Sequence, residues 1–185
     1  MRIIAGKWRG RPLQVPTGEN TRPTSDRARE ALFSMLRSRI GTFEGLKVAD
    51  IFAGTGALGL EALSRGAHSC TFVEQDRDAV KVLKANIAKL GASETDVLPI
   101  SVSALGLSRR EHDLLMFDPP YGSGGAGALL EKLTRLGWAA ASAWATVETG
   151  PDEQVSAEGW ALDTERCHGV AKLSVLYREA AEQSG

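Results

Sequence analysis

The spacing of apolar positions changes along the chain, and each change marks a predicted element. Between residues 26 and 37 they fall at Ala28, Ala31, Leu32, Met35 and Leu36, the i, i+3, i+4, i+7, i+8 pattern of one helical face. Thr24, Ser25 and Asp26 supply cap-type side chains in front of it, and Arg27, Glu30, Ser34 and Arg37 form the opposite face. From Gly45 onward, short apolar runs alternate with helical stretches. Residues 46–52, 70–74, 96–100, 114–117 and 144–148 read as strands. Residues 60–65, 77–90 and 127–137 read as helices, the first two closed by Gly66 and Gly91. Residues 160–167 and 170–177 read as two closing strands joined near His168 and Gly169. At the other end, 2–5 and 11–15 read as short strands around a turn at 6–10, followed by a loop punctuated by Pro16, Gly18, Asn20 and Pro23. The alternation predicts an α/β fold, a mostly parallel sheet covered on both faces with an antiparallel hairpin at its C-terminal side. A small hairpin-and-helix extension over residues 1–40 precedes a main domain over 41–185.

Composition fits this picture. The chain has 185 residues, 43% hydrophobic and 24% charged, enough for a sizeable core and ordinary for a soluble globular protein. No apolar run approaches the roughly 18–20 residues needed to cross a bilayer, and residues 1–8 lack the pattern of a secretion signal, so a cytoplasmic protein is expected. Cys70 and Cys167 are too few for a disulfide framework or a four-ligand zinc site, and both are expected as buried reduced thiols. His68, His112 and His168 have no metal-ligand spacing and are expected at the surface or in turns, and no metal is implied. Of the four tryptophans, only Trp8 has a claim to stack on a base.

Charge alters the reading more. The formal net charge is −1, but residues 1–39 hold nine basic side chains (Arg2, Lys7, Arg9, Arg11, Arg22, Arg27, Arg29, Arg37, Arg39) against Glu19, Asp26 and Glu30. That segment carries +6, and the remainder −7. A basic arm on an acidic body points to a polyanion meeting the N-terminal end, and the arginine fork suits phosphate.

Gly54-Thr55-Gly56-Ala57-Leu58-Gly59 fits G-x-G-x-x-G between a strand and a helix, with Glu74 at the end of the next strand. A dinucleotide would satisfy that pattern, because glycines admit close backbone approach and the carboxylate accepts ribose hydroxyls. Asp50, four residues before Gly54, favours a ligand bearing an ammonium and a sulfonium and repels a pyrophosphate. The arrangement therefore suits S-adenosylmethionine, with a dehydrogenase or a plain structural turn as the competing readings.

Asp118-Pro119-Pro120-Tyr121 follows the most apolar strand. Two prolines fix the backbone and remove two donors, leaving the Asp118 and Pro119 carbonyls and the Asp118 carboxylate to accept both hydrogens of a planar amine. Tyr121 can stack on the base that carries it. An exocyclic amine is a poor nucleophile because its lone pair is delocalised into the ring. Accepting its protons returns density to nitrogen, and holding it about 3–3.5 Å from an in-line methyl supplies much of the remaining rate.

Together these segments make the chain resemble class I S-adenosylmethionine-dependent methyltransferases with a Rossmann-like sheet. It resembles more narrowly the bacterial 16S ribosomal RNA guanine-N2 methyltransferase family RsmD. The narrower resemblance rests on Arg2-Ile3-Ile4-Ala5-Gly6-Lys7-Trp8-Arg9-Gly10-Arg11 and on Arg22-Pro23-Thr24-Ser25-Asp26-Arg27-Ala28-Arg29-Glu30. It extends through residues 52–67 and 118–121. The resemblance implies a monomeric enzyme methylating a guanine of 16S rRNA, free or in an assembling small subunit. It implies cofactor contacts from Asp50, Ala53, Gly54, Thr55, Gly56, Gly59, Glu74 and Gln75. Ser103 and Ala104 would lie near the adenine, where related enzymes often carry Asp or Asn. Asp118, Pro119, Pro120 and Tyr121 would hold the amine, and Arg9, Arg11, Arg22, Thr24 and Asp26 the RNA.

Three alternatives share parts of this pattern. A DNA adenine-N6 methyltransferase would use the same turn but usually carries a sequence-reading domain. A protein-glutamine methyltransferase usually has Asn in place of Asp118. A non-catalytic RNA-binding assembly factor could keep the fold without the reaction.

Overall fold

The structure is a computed structural model and describes residues 1–16, 25–119, 125–169 and 171–179. The chain forms two compact units, Met1–Val102 and Ser103–Gly185.

The first unit contains α1 (Asp26–Ile40), β1 (Lys47–Ile51), α2 (Ala57–Ser64), β2 (Ser69–Val73), α3 (Arg77–Leu90) and β3 (Thr95–Leu98). β2 lies between β1 and β3 and pairs parallel with both, Asp50 opposite Phe72 and Phe72 opposite Val97. Every residue of β2 is buried, as a strand covered on two faces requires. α3 spans the expected residues, with Asp76 capping its N-terminus and Gly91 left-handed after its end. α1 starts after Ser25, whose hydroxyl accepts the Ala28 N–H. Its buried side is Arg29, Leu32, Phe33, Met35 and Leu36, so the core face is rotated from the expected one and includes an arginine.

The N-terminal arm is a hairpin, but its expected strands reduce to a single bridge between Arg2 and Pro12. The reason is that α2 takes the backbone donors a neighbouring strand would use. The buried Glu61 carboxylate accepts from Ile4 N (2.8 Å) and Ala5 N (3.0 Å), and also pairs with Arg65 Nε (2.7 Å). Ser64 accepts Lys7 N at its carbonyl and Trp8 N at its hydroxyl, and that hydroxyl donates to Ala5 O. The approach is so close that a Cβ on Gly6 (φ 84°) would overlap the Ser64 carbonyl. Ile3, Trp8 and Leu13 are buried, so apolar burial adds to the polar contacts that hold this basic arm to α2. Trp8 is only 8% exposed, which removes it as a base-stacking platform.

The second unit contains β4 (His112–Phe117), α4 (Ala126–Arg135), β5 (Ala139–Thr149), β6 (Trp160–His168) and β7 (Ala171–Arg178). β4 and β5 are parallel, and β7 pairs antiparallel with both β5 and β6. The mostly parallel arrangement closed by an antiparallel hairpin is the expected one. β5 runs five residues further toward its N-terminus than expected, because alanine-rich 139–143 lacks a strand propensity of its own. The register shifts there, with His112 opposite Ala139 but Leu114 opposite Trp144. The hairpin enters with its second strand inward: β7 is buried along most of its length, and β6 forms the outer, largely exposed strand. Cys167, on β6, is exposed, contrary to the buried thiol expected, whereas Cys70 is buried. His112 also departs from expectation. It is 1% exposed, stacked on Trp138 with ring centroids 5.3 Å apart, and its Nδ1 lies 3.0 Å from the Trp138 carbonyl.

Candidate functional site

The carboxyl ends of β1 and β2 meet at the glycine loop. Phe52 leaves β1 with φ 69°, a left-handed conformation that is strained in a bulky residue. Ala53 N then donates to Val73 O (2.9 Å) and Gly54 N to Glu74 Oε2 (2.8 Å). The other oxygen of Glu74 accepts Asp76 N (2.8 Å). A carboxylate offers about four lone-pair sites, so the half-buried Glu74 keeps acceptor capacity after binding two backbone donors.

The three glycines of the loop have different physical reasons. A Cβ at Gly54 (φ 53°) would meet nothing within 4 Å, so its surface is open to a ligand. Gly56 (φ 80°) is the left-handed N-cap of α2, and a side chain there would press on Leu83. At Gly59 a Cβ would run into the Phe72 ring and Cys70 Sγ. Gly56 and Gly59 are thus packing and turn glycines. Helix α2 starts at Ala57, inside the motif and earlier than expected, because Asp50 does what glycine cannot. Its buried carboxylate accepts Gly59 N (2.8 Å) in the first turn, a cap delivered from the adjacent strand. Burial and the charge of Asp50 push the Cys70 thiol well above its ordinary pKa, so it is a neutral core group and not a nucleophile.

These contacts test whether the residues fit S-adenosylmethionine. An open glycine backbone, a strand-end carboxylate with spare acceptors and a buried anion beneath the loop form a suitable donor–acceptor set for an adenosyl group bearing a cationic tail. Thr55 is half-buried with its hydroxyl 3.5 Å from Met1 Sδ, and Gln75 is exposed directly after Glu74. Ser103 and Ala104 lie exposed in a 3-10 turn (Val102–Ala104), with the Ser103 carbonyl bonded to Lys132 Nζ.

Between the arm and the start of α1 is a cleft of about 400 Å³ lined by Arg2, Ile4, Arg9, Asp26, Arg27 and Glu30, among others. Asp26 is bridged by Arg2 Nε (3.2 Å) and Arg29 Nη2 (2.6 Å). Burial acts to raise its carboxyl pKa, but the Arg29 charge, with hydrogen bonds from Arg29 and Arg2, outweighs it and holds Asp26 below the usual aspartate value. Arg29 itself is fully buried, with a second bond to the Arg2 carbonyl (2.7 Å). Arg11 is exposed on the return of the hairpin. Arg22 and Thr24 lie outside the described residues.

In the second unit, Asp118 is half-buried at the carboxyl end of β4 and Pro119 is buried. Pro120 and Tyr121 lie outside the described residues.

Sequence reasoning missed Phe52, Glu61, Arg29 and Asn86. Asn86 left a readable trace: a polar residue on the α3 face that carries Ala79, Leu83 and Leu90, all buried.

The family described as conserved hypothetical protein 95 matches residues 1–177. The Escherichia coli (strain K12) protein named ribosomal RNA small subunit methyltransferase D is 37% identical over 187 residues, covering 100% of this chain and 93% of its own length. The solved structure of the Escherichia coli protein yhhF is 37% identical with a TM-score of 0.86, over 97% of this chain and 98% of that one. At 15% identity and a TM-score of 0.63, the magnesium protoporphyrin IX methyltransferase of Synechocystis, solved with S-adenosylmethionine bound, shares the fold over 83% of this chain and 79% of its own. The fold is that of the class I methyltransferases.

Proposed function

We propose, from the premise that this chain belongs to the RsmD family of bacterial ribosomal RNA methyltransferases, that it methylates the exocyclic N2 amine of a guanine in 16S rRNA. The methyl donor is S-adenosylmethionine, which supplies an electrophilic methyl group on a sulfonium. The observation that carries the reading is the Glu74 carboxylate, bonded to Gly54 N and Asp76 N and able to accept ribose hydroxyls.

The chain's residues divide the work. Gly54 offers open backbone, while Asp50, through Gly59, keeps α2 and its loop in place. Ala53, Thr55, Gly56 and Gln75 border that loop, and Ser103 and Ala104 serve the adenine edge. Asp118 and the Pro119 carbonyl accept the two amine hydrogens. These hydrogen bonds raise electron density on nitrogen; as the N–C bond forms, the methyl–sulfur bond would break and release S-adenosylhomocysteine, and the Asp118 carboxylate takes the proton that nitrogen loses. Pro120, which has no N–H, and Tyr121, whose ring can stack on the guanine, complete the proposed amine site. Arg2, Arg9 and Arg27 give the cleft beside the arm a cationic wall for RNA phosphates, and Arg11, Arg22, Thr24 and Asp26 extend the contact. The protein acts as a cytoplasmic monomer on rRNA or the assembling small subunit. Among the described residues no helix is long and apolar enough to cross a membrane.

The deciding experiment supplies tritiated S-adenosylmethionine with 16S rRNA, small subunits or duplex DNA, and maps the product by mass. N2-methylguanine in the RNA supports the reading. Label in DNA adenine, or RNA binding without transfer, replaces it with one of the alternatives.

Two further outcomes are expected. Glu74→Ala weakens S-adenosylhomocysteine binding by about 1–3 kcal/mol, the cost of unpaired hydroxyl contacts, measured by calorimetry. An unchanged dissociation constant removes Glu74 from the ribose site. Substituting Arg9 and Arg11 together by Gln flattens the log–log salt dependence of RNA binding by about one to two units, since each lost phosphate contact removes roughly 0.7–0.9. An unaltered slope means that the arm is not the RNA contact.

A further inference from the structure

Asn86 is fully buried on the apolar face of α3. A buried amide is costly unless its bonds are met, and this one is fully used. Oδ1 accepts Gln14 N (2.8 Å), while Nδ2 donates to Gln14 O (3.1 Å) and to Thr55 O (3.0 Å). Only this orientation of the amide satisfies one donor and two acceptors at once.

The partners belong to two functional segments. Among the described residues Gln14 is the last of the arm held in this way, and Arg22, Thr24 and Asp26 follow it in the sequence. Thr55 lies between Gly54, held by Glu74, and Gly56, which starts α2. One side chain thus binds both backbone groups of an RNA-arm residue and the central carbonyl of the cofactor loop. Nearby, Lys89 Nζ bonds Pro12 O (2.9 Å), tying α3 to the arm alone.

We infer that Asn86 is a positioning residue that sets the cofactor loop and the RNA arm against a common reference, so that loss of its amide weakens both ligands together. The inference rests on the proposed function. Asn86 is fully buried and would touch neither ligand. It acts through the Thr55 carbonyl on one side and the Gln14 backbone on the other. Lys89 provides the contrast, because it shares the arm tether without reaching the loop.

The test measures S-adenosylhomocysteine affinity by calorimetry and rRNA affinity at fixed salt, with folding checked by thermal melting and titrations run well below the transition. Asn86→Ala is expected to weaken S-adenosylhomocysteine by about five- to tenfold, as losing a buried hydrogen-bond partner does, and rRNA by a comparable factor. Lys89→Ala is expected to weaken rRNA by about twofold, as for an exposed contact, with S-adenosylhomocysteine unchanged. If Asn86→Ala does not fold, the isosteric Asn86→Asp keeps the acceptor for Gln14 N and puts a carboxylate oxygen against two carbonyls. It is expected to show the same joint loss. A purely architectural Asn86 would lower the melting temperature and leave both constants within twofold, which overturns the inference. Equal loss of S-adenosylhomocysteine affinity in Lys89→Ala overturns it too. Failure of the unaltered protein to bind S-adenosylhomocysteine is a separate result, and it overturns the cofactor reading beneath it.

Discussion

Asp118→Ala is expected to lower methyl transfer to rRNA by about 10³-fold or more, with S-adenosylhomocysteine still bound within a few fold of the unaltered protein. The expected size follows from the chemistry of the nucleophile. A nucleobase amine reacts only when its hydrogens are drawn into strong hydrogen bonds, and a carboxylate is a strong acceptor that also takes the departing proton. Asp118 sits half-buried where β4 ends, and Pro119 has no N–H to compete for it. Alanine leaves only the backbone carbonyls of positions 118 and 119 to hold the two hydrogens, with no carboxylate to take the proton. Asp118→Asn tests charge apart from shape, since it keeps a carbonyl acceptor but cannot take the proton. Single-turnover rates with saturating cofactor separate chemistry from binding. Near-normal turnover in Asp118→Ala would refute the role of this turn.

The second large effect falls on stability. Glu61→Ala is expected to lower the free energy of unfolding by about 3–5 kcal/mol, because it removes one member of a buried charge network and leaves the others unpaired. Glu61 has no exposed surface, and its two oxygens serve Ile4 N, Ala5 N and Arg65 Nε. Arg65 also lies over the Phe33 ring, 4.7 Å from its centroid, so its displacement reaches α1. Urea unfolding followed by circular dichroism measures the loss. Glu61→Gln retains one acceptor and is expected to lose less. A loss of unfolding free energy below about 1 kcal/mol for the alanine variant would mean that the arm is held mainly by Ile3, Trp8 and Leu13.

Much of the architecture is carried by local signals. The 3.6-residue spacing and Gly91 place α3, five apolar runs place the parallel strands, and the glycine motif locates the loop between β1 and α2. The tertiary structure altered details that depend on distant partners. Helix α2 begins inside the glycine motif because the Asp50 carboxylate arrives from β1 to cap it. Residues 139–143 extend β5 because distant partners meet its start: His112 of β4 pairs with Ala139, and Arg178 Nη1 donates to the Ala139 and Ala140 carbonyls. The arm forms one bridge because Glu61 and Ser64 take its amides.

By itself the sequence determined which residues are available for chemistry: a glycine turn with a carboxylate after it, an Asp-Pro-Pro-Tyr segment after an apolar strand, and a concentration of arginine in the first 39 residues. These are properties of composition and short spacing, and they survive any packing. Only the folded chain decided that Gly54 faces open space while Gly56 and Gly59 serve packing and turn geometry. It also decided that Arg29 and His112 are buried, that β7 lies inside β6, and that Asn86 joins arm to loop. Each depends on the free energy of burying a group against a partner far along the chain, which no local pattern contains.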